Sequence, residues 1–269
     1  MDEILGHLTD DLDALKACSL TCKLLFGAAR PLIHSRQRLV CFDSEPGSQK
    51  PKRFRFGRRR GGDPGAFAQL INGDRLDILH YARHLTIKAE DGPLVPRNMQ
   101  KYLPHLRSIT RLHTLTLGAF HFHPFTPLFN EHFGMFANTL RHLDIRNADC
   151  GAPELLYLIC QFPLLEDLTI MSSPSGIVVP TEHPVPTITQ SPPLRGKLAL
   201  VQVRSRELSE GLAAFPGGLS FRSLELSWCT HLETIFAACG QTVTSISYLW
   251  RGGGIDSESG PSIQPYIAR

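Results

Sequence analysis

Two pairs of histidines have spacings that could hold a metal ion. His121 and His123 flank Phe122, which places both imidazoles on one side of an extended segment, and His80 and His84 are four residues apart. Imidazole binds zinc when cysteine or carboxylate ligands complete a tetrahedral set. No such ligands stand near either pair in the sequence, so we predict no metal site and no other cofactor.

Short catalytic signatures are missing from the sequence. It contains no Gly-x-Ser-x-Gly elbow, no phosphate-binding P-loop and no His-Glu-x-x-His helix. Asp144 and Glu225 could form a carboxylate pair, but the repeats described below put them three strands apart, or about 14 Å. Carboxylates that cooperate in hydrolysis lie closer together. We therefore expect a protein that is not an enzyme, and keep a hydrolase as a third hypothesis.

The segment 50–60 is strongly basic, with seven Lys or Arg among eleven residues. Such clusters bind phosphate or direct nuclear import, and Phe54 and Phe56 could stack on bases. The flanking Gly, Pro and Ser residues are typical of an exposed loop. The formal charge of the whole chain is only +3, too small to attract nucleic acid by itself. We expect a loop, with an import signal as the alternative, and do not expect a nucleic-acid partner.

The composition is that of a folded protein. The chain has 269 residues, 42% of them hydrophobic, and no apolar run approaches the roughly 18 residues that span a bilayer. Its seven cysteines are scattered and odd in number. We expect reduced, buried thiols, no membrane association, and a cytoplasmic or nuclear location, or both.

One short pattern recurs along the chain: an apolar residue, two variable residues, a second apolar residue, one variable residue and a third apolar residue. The clearest copies span residues 112–117, 140–145, 165–170 and 221–226. The middle apolar positions, weaker copies included, are Leu85, Leu115, Leu143, Leu168, Leu198, Leu224 and Ile246. Successive positions are 30, 28, 25, 30, 26 and 22 residues apart, close to the roughly 20–29 residues of a leucine-rich repeat.

Segments with helical character stand between these copies. Residues 154–162 follow Pro153 and stop at Pro163, and residues 66–81 and 125–136 are similar. Strands that alternate with helices pair in parallel. The sheet is then either doubly wound or the concave wall of a solenoid. Polar residues alternate with apolar ones along each strand, which favours the solenoid because doubly wound strands are apolar on both faces.

The strand copies and their spacing resemble the irregular leucine-rich repeats of F-box proteins over residues 83–250. Family repeats place Asn or Cys three residues after the third apolar position, where it hydrogen-bonds the turning backbone. Cys229 occupies this position in Leu224-Glu-Leu-Ser-Trp-Cys229. The other copies carry Phe120, Ala148, Ser173 and Val203.

Residues 2–25 look like an F-box that is incomplete at its N-terminus, without the family's opening Leu-Pro-x-Glu and with Leu25 at the usual Trp position. Independently of the family, Asp11 or Asp13 can cap a helix there. Its apolar positions form a stripe that needs a partner surface. These positions are Leu12, Leu15, Cys18, Cys22 and Leu25.

The resemblance implies that the head binds the Skp-family adaptor subunit of a cullin–RING ubiquitin ligase, while the repeats hold an unknown protein substrate. The residues expected to face the adaptor are Ile4, Leu5, Leu8, Leu12, Leu15 and Leu20. The residues expected to contact the target from the concave wall are Thr86, Thr116, Asp144, Arg146, Thr169 and Glu225. The alternative is a stand-alone repeat scaffold whose head caps the first repeat.

The predicted fold is therefore α/β, a leucine-rich-repeat-like solenoid of parallel strands and helices behind a short helical head. The predicted divisions are a head at 1–36, a connecting segment at 37–65, the repeats at 66–250 and a flexible tail at 251–269.

Overall fold

The computed structural model describes residues 11–21, 25, 29, 38–42, 79–88, 103–119, 129–147, 150–172 and 191–249. These residues form an α/β structure with one eight-stranded sheet. The strands are β1 (Arg38–Phe42), β2 (His84–Lys88), β3 (Thr114–Gly118), β4 (His142–Arg146), β5 (Asp167–Met171), β6 (Leu194–Val201), β7 (Leu219–Ser227) and β8 (Ser245–Leu249). The helices are α1 (Leu12–Thr21), α2 (Ala152–Cys160), α3 (Arg206–Ala213) and α4 (Glu233–Cys239). Short 3₁₀ helices span Leu103–Ser108 and Gly134–Phe136.

The strands lie in the sheet in the order in which they occur in the chain, from β1 to β8, and every neighbouring pair is parallel. The predicted parallel pairing of strands that alternate with helices is thus confirmed. A doubly wound sheet reverses its strand order at a switch point, and the order of this sheet does not reverse.

The apolar positions marked in the sequence stand opposite one another across the sheet. The register aligns Leu85, Leu115, Leu143, Leu168, Leu198, Leu224 and Ile246 in one continuous row. The six leucines of this row are buried. Each buried leucine contributes roughly 1.5–3 kcal/mol, so the repeated pattern both sets the register and supplies much of the core.

Strand β1 lies inside the predicted connecting segment 37–65. Leu39 stands opposite Leu85 and Cys41 opposite Ile87, so β1 follows the same register as the later strands. This strand was not among the predicted copies of the pattern; Arg36 occupies the first apolar position, as Arg195 does in the weaker copy at Leu198.

The helices between strands largely follow the sequence prediction. Helix α2 begins at Ala152, carries Pro153 in its first turn and ends at Cys160, close to the predicted 154–162. Of the predicted helix 125–136, residues 129–132 are helical and the 3₁₀ helix follows at Gly134. Of residues 66–81, only 79–81 are described. Among the residues that the structure describes, no helix is long and apolar enough to cross a membrane.

Neighbouring repeats pack through their helical layer as well as through the sheet. Helix α3 contacts both α2 and α4. Phe129 stacks on Phe133 with ring centroids 5.0 Å apart. Phe129 also packs edge-to-face with Phe162 of the next repeat, with ring centroids 5.6 Å apart. One hydrophobic core therefore runs without interruption from Leu79 to Cys239.

Candidate protein-binding surface

Side chains on one face of β4–β8 line up in three rows because the strands are in register and alternate residues share a face. The first row is His142, Asp167, Lys197, Ser223 and Ser245. The middle row is Asp144, Thr169, Ala199, Glu225 and Ser247. The last row is Arg146, Met171, Val201, Ser227 and Leu249. We call the surface made by these rows the open face.

A glycine fixes the register of the open face at β6. The pairing of β6 with β7 shifts between Gly196 and Lys197, and Gly196 has a φ of +79°. A side chain at Gly196 would overlap the carbonyl oxygen of Glu166. Glycine alone tolerates both the left-handed backbone conformation and this close approach. Lys197, the next residue, then stands opposite Asp167 of β5.

The charged side chains of the open face pair with one another. In the first row, Nδ1 of His142 hydrogen-bonds Oδ2 of Asp167 at 2.9 Å. Arg146 donates from Nε to both carboxylate oxygens of Asp144 at 2.9 Å, and this hydrogen bond raises the pKa of Arg146.

Lys197 and Glu225 form a third ion pair, between β6 and β7. Exposed pairs of this kind add only about 0–1 kcal/mol each to stability. Their main effect is to hold the polar side chains of the open face in fixed positions.

The last row is largely apolar. Met171 and Val201 are half-buried, and the Leu249 residue is 63% exposed. From β5 to β8 the row covers three strand spacings, or about 14 Å. Apolar side chains that lie beside fixed polar groups give a partner both an area to bury and hydrogen-bonding groups that set its orientation.

Four of the predicted target contacts lie together on the open face: Asp144, Arg146, Thr169 and Glu225. Asp144 on β4 and Glu225 on β7 are three strands apart, as the repeats predict. Thr86 and Thr116 follow the same register but are buried, so the expectation that they contact a target from the concave wall is wrong at β2 and β3. Both threonines have interaction partners, which fits a covered position.

His142, Asp167 and Lys197 were not among the residues predicted from the sequence. The predicted residues were those between and directly after the last two apolar positions of each strand, whereas the residue before the middle apolar position also faces outward. Extending the period-two alternation by one step towards the N-terminus would have found them.

The head is described in part. Oδ1 of Asp11 accepts hydrogen bonds from the backbone N–H groups of Asp13 and Ala14, at 3.1 and 2.9 Å, and so caps α1. Ile4, Leu5 and Leu8 lie outside the described residues, and for Leu12 only the backbone is described.

Three side chains of the apolar stripe of α1 are described, and they are partly or fully buried within the chain. Leu15 is fully buried and Cys18 and Leu25 are half-buried, whereas Leu20 is 87% exposed. The expectation that Leu15 faces an adaptor therefore disagrees with this conformation, because no part of its side chain reaches the surface. Of the two predicted contacts whose side chains are described, Leu20 is the accessible one.

Five of the seven cysteines are described as free thiols: Cys18, Cys150, Cys160, Cys229 and Cys239. Burial raises the pKa of Cys229, and it raises the pKa of Cys239 to about 11. His80 Nδ1 lies 3.0 Å from Thr110 Oγ1. No group of three His, Cys, Asp or Glu side chains in the described part of the chain could hold a metal ion. His121, His123, the basic segment 50–60 and the tail 251–269 lie outside it.

Function must be inferred from the open face and the head. No protein-family model, no curated protein and no solved structure matches this chain.

Proposed function

We propose that this chain is a leucine-rich-repeat-like solenoid that binds another protein on its open face. The observation that carries the proposal is the open face itself, where self-paired charges lie beside the apolar row Met171, Val201 and Leu249. Parallel strands in unbroken chain order and their aligned leucines support the solenoid. In such stacks each repeat contacts its neighbours and an extended surface is left for binding.

The bound protein, in this proposal, is the substrate of a cullin–RING ubiquitin ligase, and the chain is its substrate-recognition subunit. The support is the resemblance of residues 2–25 to an F-box and the exposed Leu20 on α1. The role requires no catalytic group in this chain, since it brings a substrate close to the ligase.

Calorimetry with the purified full chain and a purified Skp-family adaptor subunit tests the ligase role. We expect a complex, and expect Leu20→Asp to weaken it about tenfold or more, because one buried leucine contributes roughly 1.5–3 kcal/mol. Thr21→Asp adds the same charge one residue away on the exposed end of α1 and should leave the affinity unchanged. Absence of a complex with the wild-type chain would overturn the ligase role.

The open face needs its own test, by quantitative mass spectrometry of proteins captured by the full chain. We expect Leu249→Asp to lose partners that the wild type retains. Leu164→Asp places the same charge at another exposed leucine, away from the open face, and should retain them. Identical partner sets for both variants would show that the open face is not the binding surface.

The second candidate function is a stand-alone repeat scaffold with no ligase partner. The burial of Leu15 favours it, because the apolar stripe of α1 already has its partner surface inside the chain. This candidate predicts no complex with the adaptor together with open-face partners that depend on Leu249.

A further inference from the structure

A second row of side chains borders the open face at the N-terminal ends of the strands. It consists of the residues that immediately precede His84, Thr114, His142, Asp167, Lys197 and Ser223 of β2 to β7, and we call it the edge row: Arg83, His113, Arg141, Glu166, Gly196 and Arg222. Backbone hydrogen bonds join its first four members. The carbonyl of Arg83 accepts from the N–H of His113 at 2.9 Å, and that of His113 accepts from Arg141 at 2.9 Å.

Side chains of neighbouring edge-row members also interact. Nη1 of Arg141 donates to Oε1 of Glu166 at 2.6 Å, across one repeat. Burial and then the charge of Arg83 lower the pKa of His113, as do the charges of His142 and Arg141. The charges of Arg83, His142 and Arg141 therefore all act on His113. With His113 largely neutral at pH 7, the row carries three arginines against one glutamate.

Two of these arginines differ from the charged groups of the open face. Arg83 and Arg222 are exposed, and neither forms an ion pair within the described part of the chain. The open-face charges, by contrast, are satisfied by one another. Arg83 and Arg222 thus place positive charge beside the open face without an ion-pair partner among the described residues, and unsatisfied arginines bind carboxylates with good geometry.

We propose that the edge row binds an acidic segment of the partner protein, which crosses the strand ends beside the open face. This inference rests on the proposed protein-binding function and adds the chemistry of the partner. From Arg83, directly before β2, to Arg222 on β7 the row covers five strand spacings, or about 24 Å. About seven residues of extended chain span that distance.

A protein segment suits the edge row better than a nucleic acid does. Proteins that bind single strands combine positive charge with aromatic side chains on which bases stack. The edge row contains no Phe, Tyr or Trp. Its arginines are two and three strand spacings apart, or about 10 and 14 Å, distances that about three and four residues of an extended peptide span.

The test uses the full-length chain and a fluorescein-labelled peptide of about twelve alternating Glu and Ser residues, with binding followed by fluorescence anisotropy. We expect binding at about 50 mM salt and its loss at about 500 mM, because screening shortens the reach of exposed charges. Arg83→Glu combined with Arg222→Glu should weaken binding about tenfold or more. The matched control, Arg107→Glu combined with Arg204→Glu, makes the same change in net charge at exposed positions outside the edge row and should retain the affinity.

Three results would overturn the inference. They are absence of binding at low salt, equal weakening by the control pair, and tighter binding of a single-stranded RNA with the same sensitivity to Arg83 and Arg222. Leu249→Asp separates this inference from the proposed function. If the peptide fails to bind while Leu249→Asp still loses captured partners, the edge row is wrong and the open face stands. If the peptide binds but no partner depends on Leu249, the open face is wrong.

Discussion

The thiol of Cys229 lies 3.2 Å from the carbonyl oxygen of Leu200, in the strand one repeat earlier. The same Sγ lies 3.3 Å from the carbonyl oxygen of Ser227. Cys229 is fully buried in the turn that follows β7, so its thiol connects this turn to β6. The position is the one where the sequence pattern places a side chain that hydrogen-bonds the turning backbone.

Cys229→Ala should therefore lower the free energy of unfolding by about 1–3 kcal/mol, because it removes a buried donor and leaves a cavity. Urea unfolding measures the change. Cys239→Ala is the matched control, since Cys239 is equally buried but donates only to Ile235 within its own helix. We expect the loss at Cys229 to exceed the loss at Cys239 by about 1 kcal/mol. Equal losses would mean that the contact with Leu200 adds nothing beyond packing.

Strand ends in this sheet adopt the left-handed backbone conformation without glycine. Gln202, directly after β6, has a φ of +57°, which costs a non-glycine residue roughly 1–2 kcal/mol. Gln202→Gly should raise the free energy of unfolding by up to about 1 kcal/mol, since the relief of strain exceeds the entropy cost of glycine. Ser172, directly after β5, has no positive φ, so Ser172→Gly should instead destabilise by about 0.5–1 kcal/mol. Thermal unfolding of the two variants compares them, and a loss of stability in both would contradict the prediction.

The residues that were predictable from sequence are those fixed by local pattern. The leucine row from Leu85 to Leu224 and the limits of α2 follow from apolar spacing and from Pro153 and Pro163, which act within a few residues. The burial of Thr86 and Thr116 could not be read in this way, because a threonine has the same spacing whether or not the face above it is covered.

The candidate site was predictable only in part, for a similar reason. Asp144 and Arg146 stand at positions that the alternation assigns to the outer face. Their mutual hydrogen bonds, and the pairing of His142 with Asp167 on the next strand, depend on which strands become neighbours. Local pattern gives the face of a residue but not the partner that it meets across the sheet.

His113 should make stability depend on pH. Its pKa is lowered from 6.5 by burial first and then by Arg83, His142 and Arg141, with Glu166 opposing them. The unfolded chain therefore takes up a proton at this site at a higher pH than the folded chain does. The contribution of His113 to the free energy of unfolding is fully present above pH 6.5. It is lost progressively as the pH falls below that value.

His113→Gln should flatten this part of the stability profile, measured by urea unfolding at several pH values on both sides of 6.5. His105→Gln lies outside the edge row and serves as the control. A profile for His113→Gln that keeps the full slope of the wild type would show that the slope arises from another group.

Glu154 is a carboxylate buried without compensation. Its residue is fully buried in the first turn of α2, and neither carboxylate oxygen has a hydrogen-bond partner among the described residues. Removing a charge from water without a partner costs more than the roughly 0.3–1 kcal/mol that an acidic residue gains at a helix N-terminus. Glu154→Gln should thus raise the free energy of unfolding at pH 7 by about 1–2 kcal/mol.

Glu207 provides the control. It also lies in the first turn of its helix, α3, but is exposed, so Glu207→Gln should lower stability by about 0.3–1 kcal/mol. Urea unfolding of both variants decides the matter, and a loss of stability in Glu154→Gln as large as that in Glu207→Gln would mean that the helix N-terminus fully offsets the burial of the charge.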